Sequence, residues 1–98
     1  MRTVKIGPLT YTVTEDYPLI ASDGEMLYGE IAYEACTIRI SSRAAEGLKP
    51  VILWHEILHG ILSQAGLEMP NEEAVAEALS HGIVQVLQDR PELGDMNG

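Results

Sequence analysis

The rhythm of apolar and polar positions changes near residue 49. Before it, short stretches carry strand character. Thr10, Tyr11, Thr12 and Val13 favour β-structure, and Gly7-Pro8 punctuates the run ahead of them, which predicts a short N-terminal hairpin. A polar Ser22-Asp23-Gly24 turn leads into Leu27 to Ser41. In the second half of that stretch Ile38 and Ile40 alternate with Thr37, Arg39 and Ser41, the period of a half-buried antiparallel strand with the isoleucines on one face. Cys36, next to it, reads as a small apolar side chain within a strand.

After Lys49 the period becomes helical. Pro50 suits a first helical turn, Val51 to Gln64 reads as helix, and Gly66 supplies a left-handed stop. This helix is apolar almost all round, and His55, Glu56 and His59 are its polar interruptions. That composition predicts a central helix with those three side chains at a cleft and Trp54 in the core. A second helix of about 17 residues is expected from Asn71 as N-cap to just before Pro91. Glu72 and Glu73 stand in its first turn, where the helix dipole favours negative charge, and Val75, Leu79, Ile83, Val86 and Leu87 form the stripe expected to be buried. The tail from Pro91 to Gly98 is short and polar and is expected to fray.

The chain has 98 residues, enough for a single domain over 1–98 and no second core. An apolar fraction of 46% and a charged fraction of 21% predict a folded globular domain rather than a disordered one. Six Lys and Arg against fifteen Asp and Glu give a net charge of -9, which argues against nucleic acid as a partner. A lone cysteine cannot close an intramolecular disulfide, the N-terminus lacks a signal-type apolar stretch, and no apolar run approaches about 18 residues. These features lead to the expectation of a soluble cytoplasmic protein with no membrane partner.

His55-Glu56-Ile57-Leu58-His59 is an H-E-x-x-H sequence inside the first helix. Residues four apart share one helical face, so two imidazoles can take two corners of a tetrahedral zinc site, and the glutamate beside them can take a proton from an attacking water. Chance placement of the chain's three histidines and its glutamates would give the pattern about 1% of the time. A catalytic zinc takes a third protein ligand. Glu73, Glu77 and His81 lie at i, i+4 and i+8 on the second helix, so one face carries three candidates.

The two histidines, followed eighteen positions later by Glu77 in the run Glu77-Ala78-Leu79-Ser80-His81, resemble the gluzincin metallopeptidases, whose third ligand is a glutamate on the following helix. In thermolysin-like members that ligand stands in a Glu-Ala-x-Ser-Asp setting. The resemblance implies Glu77 as the third zinc ligand and puts His81 where those enzymes have an aspartate that steadies a ligand histidine. His81 could thus orient His55 or His59, touch substrate, or face water. Glu73 is the alternative third ligand, with dipole stabilisation as its simpler role. The small size and the strand-helix-helix layout over roughly residues 27 to 90 resemble more closely the ImmA/IrrE-like and minimal gluzincin proteins, many of them from phages and prophages.

The expected fold is therefore a small α+β, zincin-like domain: a short antiparallel sheet packed on the H-E-x-x-H helix, with the Glu-bearing helix closing the site. The expected function is zinc-dependent hydrolysis of peptide bonds in a peptide or protein substrate, with one zinc per chain and Glu56 as general base. Strand 37–41 is expected to offer an edge to an extended substrate. Tyr11, Tyr17, Tyr28 and Tyr33 are the available hydroxyl donors for a developing oxyanion, Tyr28 and Tyr33 lying in the stretch that precedes the strand. The alternative is a catalytically idle, acidic interaction module that zinc staples together. The oligomeric state is not legible.

Overall fold

The computed structural model describes residues 2–95. Along the chain come β1 (Arg2–Ile6), β2 (Leu9–Asp16), β3 (Gly29–Ala32), β4 (Thr37–Ser41), α1 (Lys49–Gln64), α2 (Glu72–Asp89) and a 3-10 turn at Pro91–Gly94. The fold is α+β. β1 and β2 form the expected hairpin, with Ile6 opposite Leu9 around Gly7-Pro8.

The sheet runs β1-β2-β4-β3 and is mixed rather than purely antiparallel. β4 is antiparallel to β3 but parallel to β2, with Val13 beside Ile38. The reason lies in burial. Ile38 and Ile40 are both 0% exposed, so the strand that carries them takes an interior place between β2 and β3. The β3–β4 hairpin then enters the sheet β4 first, after a crossover from β2 long enough for parallel pairing. In that crossover Leu19 is buried, Ile20 bridges Met26, and the expected turn at Ser22-Asp23-Gly24 is held by the Glu25 N–H, which donates to Asp23 Oδ1 at 2.9 Å. An interior β4 cannot accept a substrate strand, which corrects the expectation of an open edge at 37–41. The open edges are β1 and β3. Cys36 also departs from expectation: it sits at φ +51 in the turn between β3 and β4, outside both strands.

α1 begins at Lys49, slightly earlier than its apolar pattern suggested, and ends as expected. Gly66 adopts φ +72, a conformation that costs glycine least, and its N–H reaches the Ser63 carbonyl at 3.1 Å while the Leu67 N–H reaches that of Leu62 at 3.0 Å. Glu56, Ile57 and Gly60 are the buried positions of α1. Gly60 lies against the sheet, where a Cβ would stand 2.8 Å from Ile6 Cδ1, and Ile57 joins Ile6, Tyr11, Val13, Ile38 and Ile40 in the core.

α2 follows Asn71 as expected, although the Asn71 side chain makes no capping hydrogen bond. It rests on α1 and not on the sheet, so the layers are sheet, α1 and α2. Its buried residues are Ala76, Ser80 and Val84. Leu79 and Val86, expected inside, are 49% and 45% exposed. At about 100° per residue, the buried face is turned by about a quarter of a revolution from the apolar stripe toward Glu73 and Glu77. Small residues explain this: Ala76 and Ser80 let the two helices approach, and the buried Ser80 hydroxyl is satisfied by donating to the Glu77 carbonyl at 2.9 Å. Trp54 is half-buried, packing on the core while also lining a groove with Leu79, Ile83 and Val86. The 3-10 turn packs on α2, and residues 96–98 of the tail expected to fray lie outside the described residues. Among the described residues no helix is long and apolar enough to cross a membrane.

The burial pattern ranks two leucine-sized deletions. Ile38→Ala should lower the unfolding free energy by about 2–5 kcal/mol, whereas Leu79→Ala should change it by about 0.5 kcal/mol. Urea titration of both variants checks this, and a Leu79→Ala loss as large as that of Ile38→Ala would restore the sequence-predicted stripe.

Candidate metal centre

A helix that packs between two layers sorts its side chains by angle. On α1, Glu56 and Gly60 turn toward the sheet, whereas His55 and His59, one turn apart, face α2. The first turns of α2 meet them with Glu72, Glu73 and Glu77.

Three atoms converge. His55 Nε2 and His59 Nε2 lie 3.2 Å apart, and Glu73 Oε1 stands 3.1 Å from the first and 2.6 Å from the second. His55, His59 and Glu73 form the group of the described residues able to hold a metal ion. Ligand atoms around a tetrahedral zinc, each about 2.0–2.1 Å from the ion, are about 3.3 Å from one another. Two sides of the triangle, 3.1 and 3.2 Å, are close to that size, and the third, 2.6 Å between His59 Nε2 and Glu73 Oε1, is shorter. Glu77, implied as third ligand by the family resemblance, occupies a different place: its Oε2 lies 3.1 Å from His55 Nδ1, on the ring's far side from the convergence point, and its Oε1 lies 2.9 Å from His81 Nε2. His81 thus reaches His55 only through Glu77.

Glu72, which the sequence reading treated as a dipole partner alone, lies with Oε2 2.6 Å from His59 Nδ1. Both imidazoles therefore have a carboxylate at Nδ1. At His59, Nδ1–H donating to Glu72 leaves the Nε2 lone pair of the neutral ring toward the shared point, the tautomer a metal needs, while at His55 the Glu77 carboxylate lies within ion-pair distance of Nδ1. The signal for Glu72 was present in the i, i+1 and i+5 spacing of Glu72, Glu73 and Glu77, but only the observed rotation of α2 assigns each carboxylate its place.

Electrostatics follow the same arrangement. Glu73 is held below the ordinary carboxylate pKa, first by its hydrogen bond with His55 and then by that with His59, against the opposing effect of burial. For His59, burial favours the neutral ring, yet the hydrogen bonds to Glu72 and Glu73 and the adjacent carboxylate charges outweigh it and raise the pKa. Glu56 is different. Burial raises its pKa, and the positive charge that His55 and His59 can carry only partly opposes this. Its carboxylate lies by β3, so close that a Cβ on Gly29 would stand 3.1 Å from Glu56 Oε2 and 2.5 Å from Ile52 Cγ2. Gly29 was not singled out from sequence, because the need for an absent side chain appears only when α1 is laid against the strand.

Of the tyrosines, Tyr11 is buried in the core and Tyr17 packs under Arg43. Tyr28, 71% exposed, lines the cleft with His55 and Glu56. Tyr33 lies in the β3–β4 turn, where burial first and then the charges of Glu72 and Glu56 raise its pKa. The cleft has a volume of about 810 Å³ and also takes in Glu73, Glu77 and His81.

No protein-family model, curated protein or solved structure matches this chain.

The pKa directions set opposite pH trends with and without metal. Without metal, His59's contribution is complete below its unfolded value of about 6.5 and is lost as pH rises through the raised folded value. The cost of ionising buried Glu56 also grows upward from about pH 4.3, while Glu73's contribution is already present above that pH. Metal-free protein should therefore lose stability between pH 6 and 8. Metal competes with the proton at His59, so the stabilisation by zinc, about 2.7 kcal/mol at one hundred times Kd, should grow over the same interval. Thermal melts at both pH values with zinc or chelator check the two slopes, and parallel slopes would remove His59 from the metal site.

Proposed function

We propose that this chain is a zinc-dependent peptidase of the gluzincin type, with His55, His59 and Glu73 as metal ligands and Glu56 as general base. The observation that carries the proposal is the convergence of His55 Nε2, His59 Nε2 and Glu73 Oε1 within 3.2 Å, beside a buried carboxylate and an open cleft. Two histidines and one glutamate are a donor set of catalytic zinc sites, and three protein ligands leave a coordination position free. Zinc held there supplies a Lewis acid that lowers the pKa of water to about 7.

The chain's own residues supply the remaining steps. Glu72 holds the His59 imidazole by a hydrogen bond at Nδ1, and Glu77 lies within ion-pair distance of Nδ1 on His55. Glu56 takes a proton from the attacking water at its carboxylate and delivers it to the leaving amine nitrogen. Its raised pKa suits a base that must then act as an acid. β3, the open sheet edge next to Glu56, is placed to pair with an extended peptide, a role in which it replaces β4. Tyr28, which lines the cleft with His55 and Glu56, is the candidate hydroxyl donor to a developing oxyanion, and His81 supports Glu77 from outside.

Three substitutions separate these roles. Glu73→Ala should abolish stoichiometric zinc, Glu77→Ala should weaken zinc binding about 10–100-fold, and Glu56→Gln should retain zinc while lowering peptide hydrolysis by about 10²–10⁴-fold. Zinc content by elemental analysis, with hydrolysis of a peptide library, is the measurement. Loss of zinc in Glu77→Ala with retention in Glu73→Ala would exchange the two glutamates. Full zinc with no hydrolysis by the unsubstituted chain would leave the metal as a staple between α1 and α2.

A further inference from the structure

The cleft does not end at the metal cluster. Along α1 it runs back past Ile52 and Val51 to Leu48, with Leu27 and Ala44 on its other side, and reaches Arg43. Arg43 lies in the loop before α1, and His55, which lines the same cleft, stands about 9 Å along the helix from its first residue, Lys49.

Arg43 is unusual among the chain's cations. Arg39 is paired with Glu30, Lys49 with Glu15 and Glu46, and Arg90 lies by Asp89 and Glu92. Arg2 and Lys5 belong to β1, at the opposite edge of the sheet. Among the described residues no carboxylate pairs with Arg43, despite a net charge of -9. Its guanidinium lies over the Tyr17 ring, 4.6 Å from the centroid. Stacking of that kind holds the plane and leaves the rim of N–H donors free. The backbone beneath is fixed as well: the Arg43 N–H donates to Ser41 Oγ at 3.3 Å, the Ala44 N–H donates to the Ser41 carbonyl at 3.2 Å, and Ala44 is buried.

We propose that Arg43 is a substrate-anchoring residue, and that the cleft takes a peptide with an apolar side chain over Leu48, Val51 and Ile52 and a carboxylate on the Arg43 guanidinium. The proposal rests on the peptidase reading and adds a substrate class to it. The other end of the cleft carries Glu56, Glu73 and Glu77, so a carboxylate has one favourable place to lie, and an oriented guanidinium can receive it with two parallel hydrogen bonds. The carboxylate can be a chain terminus or an Asp or Glu side chain.

The test is binding to zinc-loaded Glu56→Gln protein, and to the same protein without metal, by isothermal titration calorimetry. The probes are acetyl-trileucine as free acid, its amide, and acetyl-Leu-Leu-Glu-amide, measured with Arg43 intact, Arg43→Gln and Arg43→Lys. The free acid should bind about tenfold or more tightly than the amide, Arg43→Gln should erase the difference, and Arg43→Lys should restore part of it. Acetyl-Leu-Leu-Glu-amide binding as tightly as the free acid assigns the carboxylate to a side chain, and weaker binding assigns it to a terminus. Equal binding of acid and amide, a preference that survives Arg43→Gln, or no binding of any probe overturns the proposal. Hydrolysis of peptides by the unsubstituted chain without any carboxylate preference would sink the anchor and keep the peptidase, whereas Arg43-dependent binding without hydrolysis would do the reverse.

Discussion

Everything in this molecule depends on α1 having a partner on both sides. An almost wholly apolar helix in so small a domain must be covered twice, and the sheet covers one side while α2 covers the other. That requirement divides the H-E-x-x-H residues by angle alone. Positions four apart go to the α2 side, and the glutamate next to them goes to the sheet side. The histidines therefore meet acidic residues across a helix interface, while Glu56 is desolvated beside a glycine. The same two-sided packing brings His55, His59 and Glu73 together and raises the pKa of Glu56.

The interface between α1 and α2 is unusual in what it buries. Were apolar area its main source of stability, Leu79 and Val86 would be turned inward. Instead Ala76 and Ser80 occupy the contact, and the helix is rotated so that Glu73 and Glu77 face the histidines. Ion pairs and hydrogen bonds replace part of the apolar contact, which is a costly exchange unless each charged group is matched. His59 lies between Glu72 and Glu73 and His55 between Glu73 and Glu77, so two imidazoles are shared among three carboxylates, and Glu73 and Glu77 keep 78% and 58% of their side chains in contact with water. The apolar residues left outside form the groove with Trp54.

Much of this was legible in the chain. The α+β class, the N-terminal hairpin, the burial of Ile38 and Ile40, both helices and the stop at Gly66 follow from local pattern and need no tertiary information. The spacing of His55, Glu56 and His59 put all three at a cleft, but that Glu56 faces the sheet while the histidines face α2 appears only once α1 is packed between them. The mixed sheet was not legible either, since alternation in Thr37–Ser41 reports which face is buried but not which strand lies alongside. The choice between Glu73 and Glu77 failed to resolve for a similar reason. Both lie on the stripe that faces α1, and Glu73 in the first turn also satisfies the helix dipole, so one residue carries two sufficient explanations. Only the height of α2 against α1 puts Glu73 at the Nε2 atoms and Glu77 at Nδ1.

That dependence on height ties chemistry to folding. α2 has no strand beneath it, and its buried residues are Ala76, Ser80 and Val84, so the contacts at the histidines add to what sets its position along α1. A cation held by two side chains of α1 and one of α2 would bridge the two helices at the level that also sets the Nδ1 partners, and would relieve the repulsion among Glu56, Glu72, Glu73 and Glu77, which a chain of charge -9 has few free cations to offset. The ligand set, the orientation of the rings and the seating of α2 are thus one constraint. A substitution that moves α2 by even part of a turn would exchange the roles of its glutamates, and the site would lose its geometry before the core lost its packing.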